Sequence, residues 1–118
     1  MNRSDLLHGT LELMILRALA LEPLHGYAIR QRLIQMTDGV FDVQAGSLFP
    51  ALYRLVRDGR IEGDWGQTEN NRKAKYYKLT GSGQSKLEEA TLHWRRTSLA
   101  IDRLLGLVSD RRGAPLRD

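Results

Sequence analysis

The chain has 118 residues, 42% of them hydrophobic and 27% charged, which suits one globular domain with a modest core and leaves no room for a separate catalytic domain. It contains no cysteine, so disulfides, thiolate catalysis and zinc–thiolate sites are excluded together, as suits a cytoplasmic protein. The formal charge of +4 is mild, and its distribution says more than its total.

Residues 1–59 are balanced: Arg3, Arg17, Arg30, Arg32, Arg54 and Arg57 stand against Asp5, Glu12, Glu22, Asp38, Asp42 and Asp58. In residues 60–79 the bases outnumber the acids, and Arg72, Lys73, Lys75 and Lys78 crowd a short stretch without an acid. Such a concentration is the footprint of a phosphate contact or, more plainly, a solvated loop.

The apolar stretch from Leu6 to Leu21 is interrupted by Glu12 and Arg17, and no cleavage site follows it. It reads as a buried helix, expected from about Thr10 to Leu21, and not as a signal peptide or membrane span. Leu11, Leu13, Met14, Ile15, Leu16, Ala18 and Leu19 place apolar groups on nearly every face, so a partner subunit is expected to cover part of it. Pro23 ends the helix. A second helix is expected from His25 to Met36, with Tyr27, Ile29, Leu33, Ile34 and Met36 as its apolar stripe, followed by a turn at Thr37-Asp38-Gly39. A third helix is expected from Gly46 to Asp58. Leu48, Leu52, Leu55 and Val56 form its inner face, Pro50 lies in or near its first turn, and Gly59 stands at the C′ position. Residues 60–65 and 74–79 read as two strands joined by the polar connection 66–72, with Tyr76 and Tyr77 pointing to opposite faces and Trp65 packing on the hairpin.

Thr80 can cap a last helix, and Ser85-Lys86-Leu87-Glu88 offers a capping-box pattern within it. Leu87, Ala90, Trp94, Thr97, Ile101, Leu104 and Val108 step alternately by three and four, a heptad seam that no other element is long enough to cover. The expected organisation is therefore a winged helix-turn-helix DNA-binding domain at residues 1–79, a C-terminal dimerisation helix at 80–109 and a frayed tail at 110–118. The fold class is mainly α with a small β-hairpin.

Helix, turn, helix and a basic hairpin suit DNA. A helix fits the major groove, its N-terminal residues reach base edges, and a hairpin beside it lays cations on phosphates. The candidate contacts are Ser47, Phe49, Pro50, Tyr53, Arg54 and Arg57 on the third helix, with Arg72, Lys73 and Lys75 on the wing. Arg54 can donate in a fork to guanine or phosphate. A winged helix can also serve as a protein-interaction module without DNA affinity. His8, His25 and His93 are scattered without acidic neighbours, so no metal is expected. Gly81-Ser82-Gly83 lacks a phosphate-loop fingerprint, and Asp38 and Asp42 read as turn formers. No cofactor or enzymatic activity is expected.

Several segments together resemble the PadR-like transcriptional regulators over Leu7 to about Leu105. The opening helix 8–16 (HGTLELMIL), the helix-two entry 23–27 (PLHGY), the recognition helix 46–55 (GSLFPALYRL) and the wing, Trp65-Gly66 with 71–80 (NRKAKYYKLT), occur in the family's order. The resemblance implies a homodimer held by the C-terminal helix with help from the first. It also implies repression of nearby promoters through two half-sites in double-stranded DNA, often relieved by a small molecule. The short last helix is similar to the compact branch of the family. The family usually has tyrosine where this chain has Phe49, so a hydrogen bond from that hydroxyl is missing here. Trp94 falls mid-seam, where multidrug-sensing relatives use a tryptophan. The resemblance thus implies a site for an aromatic effector, and interface packing is the simpler role.

Overall fold

A computed structural model describes residues 3–108, and of residues 3–8 only the backbone. The expected tail at 110–118 lies outside the described residues. The chain comprises α1 (Arg3–Leu19), β1 (Leu24–His25), α2 (Gly26–Met36), α3 (Ala45–Arg57), β2 (Ile61–Gln67), β3 (Lys73–Leu79) and α4 (Gly81–Leu104). It divides into two compact units, residues 1–87 and 88–118. The division between these units falls inside α4.

The core of the first unit is continuous. Ile15 and Leu16 of α1, Ile29 of α2, Leu48 and Leu52 of α3 and Ile61 of β2 are its most deeply buried large side chains. Burying each stabilises the fold by roughly 1.5–3 kcal/mol relative to exposure. Within this unit α1 buries Leu11, Ile15, Leu16, Ala18 and Leu19, and leaves Leu13 and Met14 half-buried. The chain's own core thus takes up most of the surface that the sequence assigned in part to a partner. In α2 the buried stripe is Gly26, Ile29 and Leu33; Tyr27 and Met36, expected within it, are exposed. In α3 it is Leu48, Ala51, Leu52 and Leu55, with Val56 at the margin. Pro50 lies in the second turn of α3, where it removes the donor that would reach the Gly46 carbonyl.

The hairpin is part of a three-stranded antiparallel sheet in the order β1-β3-β2. The two-residue β1 pairs Leu24 with Tyr77 and His25 with Tyr76. It is too short to leave a periodic signal in the sequence. Tyr77 is buried and Tyr76 turns to the other face, where its ring meets His25 edge-on at 5.2 Å, as the alternation required. His25 also caps α2, its Nδ1 accepting from the Ala28 N–H at 3.1 Å. This capping role accounts for the position of the histidine at the start of α2.

α4 is capped by Thr80, whose Oγ1 accepts from the Gly83 N–H at 3.0 Å and donates to the carbonyls of Gly59 and Arg60. The capping-box pattern at Ser85 therefore lies inside the helix. A Cβ on Gly83 would overlap the Arg60 carbonyl oxygen, so the helix start meets the β2 entry with no space for a side chain. At its other end α4 stops at Leu104. Gly106 adopts φ +74°, and the Leu107 N–H reaches back to the Asp102 carbonyl at 2.8 Å. This left-handed cap places Val108, the last residue of the expected seam, beyond the helix.

Gly83→Ala should destabilise the protein by about 1–3 kcal/mol through overpacking. Gly81→Ala meets open space and should be neutral or slightly stabilising. Thermal melts of the two variants check the contrast. Burial also pushes the Tyr77 phenol above its ordinary range. Its proton is then retained longer in the folded than in the unfolded chain. The associated stability is present below the ordinary tyrosine value and lost as the pH rises through the raised one. An ultraviolet titration should find one of the four tyrosines ionising after the others.

Candidate nucleic-acid interface

One-sided burial of α3 turns the opposite face outward. Gly46, Phe49, Pro50 and Tyr53 lie along it at helical spacing, with Ser47 and Arg57 at its margins, and all six are exposed. Phe49 is 50% and Tyr53 69% exposed. Phe49 is not free-standing: a Cβ on Gly26 would lie 2.9 Å from its ring, so the ring rests on the start of α2. Tyr27, the residue after Gly26, is also exposed, with its ring stacked beside His25. Its apolar character made it read as core in the sequence; only the rotation of α2, set by Ile29 and Leu33, turns it out.

The arginines of this region are occupied. Arg30 donates to Asp42 at 2.8 Å, Arg32 to Glu22 at 3.2 Å, Arg54 to Glu12 at 3.0 Å and Arg57 to Asp58 at 3.0 Å. The Asp42 and Asp58 carboxylates hold the guanidinium groups of Arg30 and Arg57 above their ordinary value, and Arg57 holds Asp58 below its own. These two pairs are exposed and weak. The Glu12–Arg54 pair is different. It links α1 to α3, both side chains are mostly covered, and Arg54 Nη2 is buried without a hydrogen-bond partner. The fork expected to reach guanine is thus engaged inside the domain.

The wing behaves oppositely. Strand alternation and the pairing of Trp65 with Lys75 and Gln67 with Lys73 put Trp65, Lys73 and Lys75 on one face, the face whose inner end is Ile61, Tyr77 and Leu79. Lys73 Nζ stands 5.4 Å from the centre of the Trp65 ring, and the stem of Lys75 crosses Gly63. Trp65 itself is 65% exposed, so it supports a lysine without being covered by the hairpin. Arg72 follows the turn at Asn71, which has φ +60°. Among the described residues no carboxylate pairs with Arg72, Lys73 or Lys75, whereas Lys78 is bound to Glu62 at 3.0 Å. The same residues include no cluster of histidine, cysteine and acidic side chains able to hold a metal, and no helix long and apolar enough to cross a membrane.

Of the residues expected on the seam, Leu87 is buried in the core of the first unit. Ala90 and Thr97 are half-buried, and Trp94, Ile101 and Leu104 are exposed. Leu92 and Leu99, outside the heptad steps, are exposed as well.

Three helices on a three-stranded sheet, with a basic hairpin beside an outward-facing third helix, define a winged helix-turn-helix protein. The family model described as the transcriptional regulator PadR-like family matches residues 15–89. The chain belongs to the PadR-like family of transcriptional regulators, which are not enzymes. It is 31% identical over 102 residues to an uncharacterized protein X of Lysinibacillus sphaericus, covering 86% of this chain and 94% of the relative. A PadR-like transcriptional regulator of Bacillus cereus has a similar structure, with a TM-score of 0.73 and 32% identity over 86% of this chain and 96% of its own. PadR of Bacillus subtilis in complex with operator DNA is also similar. Its TM-score is 0.61 and its identity 25%, over 68% of this chain and 44% of that one.

Arg54→Ala should act on stability first. Removing the cation leaves Glu12 partly buried and unpaired, at a cost of about 1–3 kcal/mol. Denaturant unfolding of Arg54→Ala, Glu12→Gln and the double variant should give a positive coupling between the two sites.

Proposed function

We propose that this protein is a sequence-specific DNA-binding repressor that works as a homodimer on two half-sites. The observation that carries this reading is the set of unpaired wing cations, Arg72, Lys73 and Lys75, on a domain whose recognition helix faces outward. The Bacillus subtilis relative bound to operator DNA supports it. α3 enters the major groove and the wing holds the flanking backbone. The exposed Trp94, Ile101 and Leu104 of α4, joined by Leu92 and Leu99, supply the apolar surface that a second copy would cover.

Trp94, 47% exposed in the single chain, is also the candidate effector site. Two indoles brought together by dimerisation would offer flat faces to an aromatic ligand. Such a ligand would act on DNA by changing the separation of the two recognition helices, which must match half-sites about 34 Å apart. It must bind the geometry that does not fit DNA more tightly, or it shifts nothing.

A gel shift at graded salt on DNA flanking the gene tests the reading. Each phosphate contact contributes about −0.9 to the slope of log K against log salt, so Lys73→Ala in a dimer should flatten the slope by about two units. An unchanged slope would remove the wing from the interface. Complete absence of DNA binding would leave a protein-interaction module. Sedimentation equilibrium should find a dimer at tens of micromolar and a weaker one for Ile101→Asp, since burying an apolar side chain of this size is worth roughly 1.5–3 kcal/mol.

A further inference from the structure

Resting on the DNA-binding reading, we infer that the recognition helix reads its operator mainly through apolar contact with thymine methyl groups, so that the major-groove half-site is rich in A·T pairs. The outward face of α3 has little with which to read guanine. Guanine offers two acceptors, O6 and N7, and asks for a fork of donors. Arg54 has such a fork, but it is turned inward to Glu12 at 3.0 Å. Arg57 is the last residue of α3 and faces Asp58, whereas base edges are reached from the N-terminal part of a recognition helix. Over that part the outward residues are Gly46, Phe49, Pro50 and Tyr53, preceded by Ala45 and by Gln44 at the N-cap, whose amide suits adenine. Gly46, Phe49 and Pro50 bring no side-chain donor at all, and Tyr53 brings one hydroxyl. Ser47 can serve any base.

What this face does present is apolar area. Phe49 is anchored on Gly26 with half its surface exposed, and Tyr53 projects one turn further along. The C5-methyl of thymine is the one apolar group on the base-pair edges in the major groove. The Phe49 ring, held by the packing beneath it, can cover that methyl with little further loss of side-chain freedom, and the Tyr53 ring extends the same apolar face. An exposed apolar helix face could equally receive a protein. The unpaired cations of the wing, on the same domain, favour a polyanion beside it. Charge therefore comes from the wing and sequence discrimination from an uncharged helix face.

The test starts from a random pool of duplex DNA selected with the full chain, followed by replacement of each thymine in the recovered site by deoxyuridine, which removes the methyl alone. Removal at a contacted position should weaken binding roughly fourfold, the factor equivalent to about 0.8 kcal/mol for one buried methyl-sized group. Tyr53→Phe should retain this sensitivity, and Tyr53→Ala should abolish it at the thymine beneath that ring. Melting curves of both variants confirm that they fold; Tyr53 is exposed, so neither change opens the core. Recovered half-sites in which G·C pairs dominate, or affinity indifferent to every methyl, would overturn the inference while leaving DNA binding intact. Recovery of no DNA above background would instead overturn the DNA-binding reading and this inference with it.

Discussion

The interface depends on the way α3 is held. Leu48, Ala51, Leu52 and Leu55 lock one side of the helix against α1, α2 and the sheet, and Glu12 fastens Arg54 from the direction of α1. A helix fixed along one face has no rotational freedom left, so the residues offered to solvent are decided by the core and not by the surface. Phe49 and Tyr53 are exposed because Leu48 and Leu52 are not. Changes at Glu12 or Ile15 would therefore be felt at the solvent-facing residues of α3 without touching them, since close-packed interiors transmit displacement.

Charge is divided between the helices and the wing on a simple physical basis. The arginines of the helix-turn-helix lie within reach of carboxylates on neighbouring turns and elements, and each finds one. The outer part of the hairpin is exposed at Trp65, Lys73 and Lys75. Lys73 stands over the Trp65 ring and Lys75 crosses Gly63, and among the described residues no carboxylate pairs with either. An exposed cation with no local partner is the one most ready to release counterions on meeting phosphate. The net charge of the chain is small, and Arg72, Lys73 and Lys75 put three exposed cations together on the wing.

α4 belongs to both compact units. Thr80 and Gly83 fix its beginning against the strand entry, Leu87 closes the core, and from there on its large apolar side chains are exposed to water. A helix that continues past its own core with leucine, tryptophan and isoleucine outward carries an unsatisfied hydrophobic surface. The positive φ at Gly106 ends the helix after Leu104, and Leu105 and Leu107 beyond it are exposed as well.

By itself the sequence determined the fold class, the order of the elements and the family. Those are set by local patterns: the spacing of Leu48, Leu52 and Leu55, the alternation around Tyr76 and Tyr77, and the capping residues Thr80 and Gly59. It also located the cations of the wing, because charge density along the chain is local information. It did not determine which way side chains of ambiguous chemistry face. Tyr27 and Met36 are apolar yet exposed, Leu87 fits a heptad yet is core, and Arg54 is basic yet tied inward. Each of these depends on the rotation of a helix or on a partner far away in sequence, such as Glu12 for Arg54 or Gly26 for Phe49. Strand β1 exists only because β3 offers it an edge. Periodicity records that a helix has an inside; only packing against the other elements decides which of its borderline residues belong there.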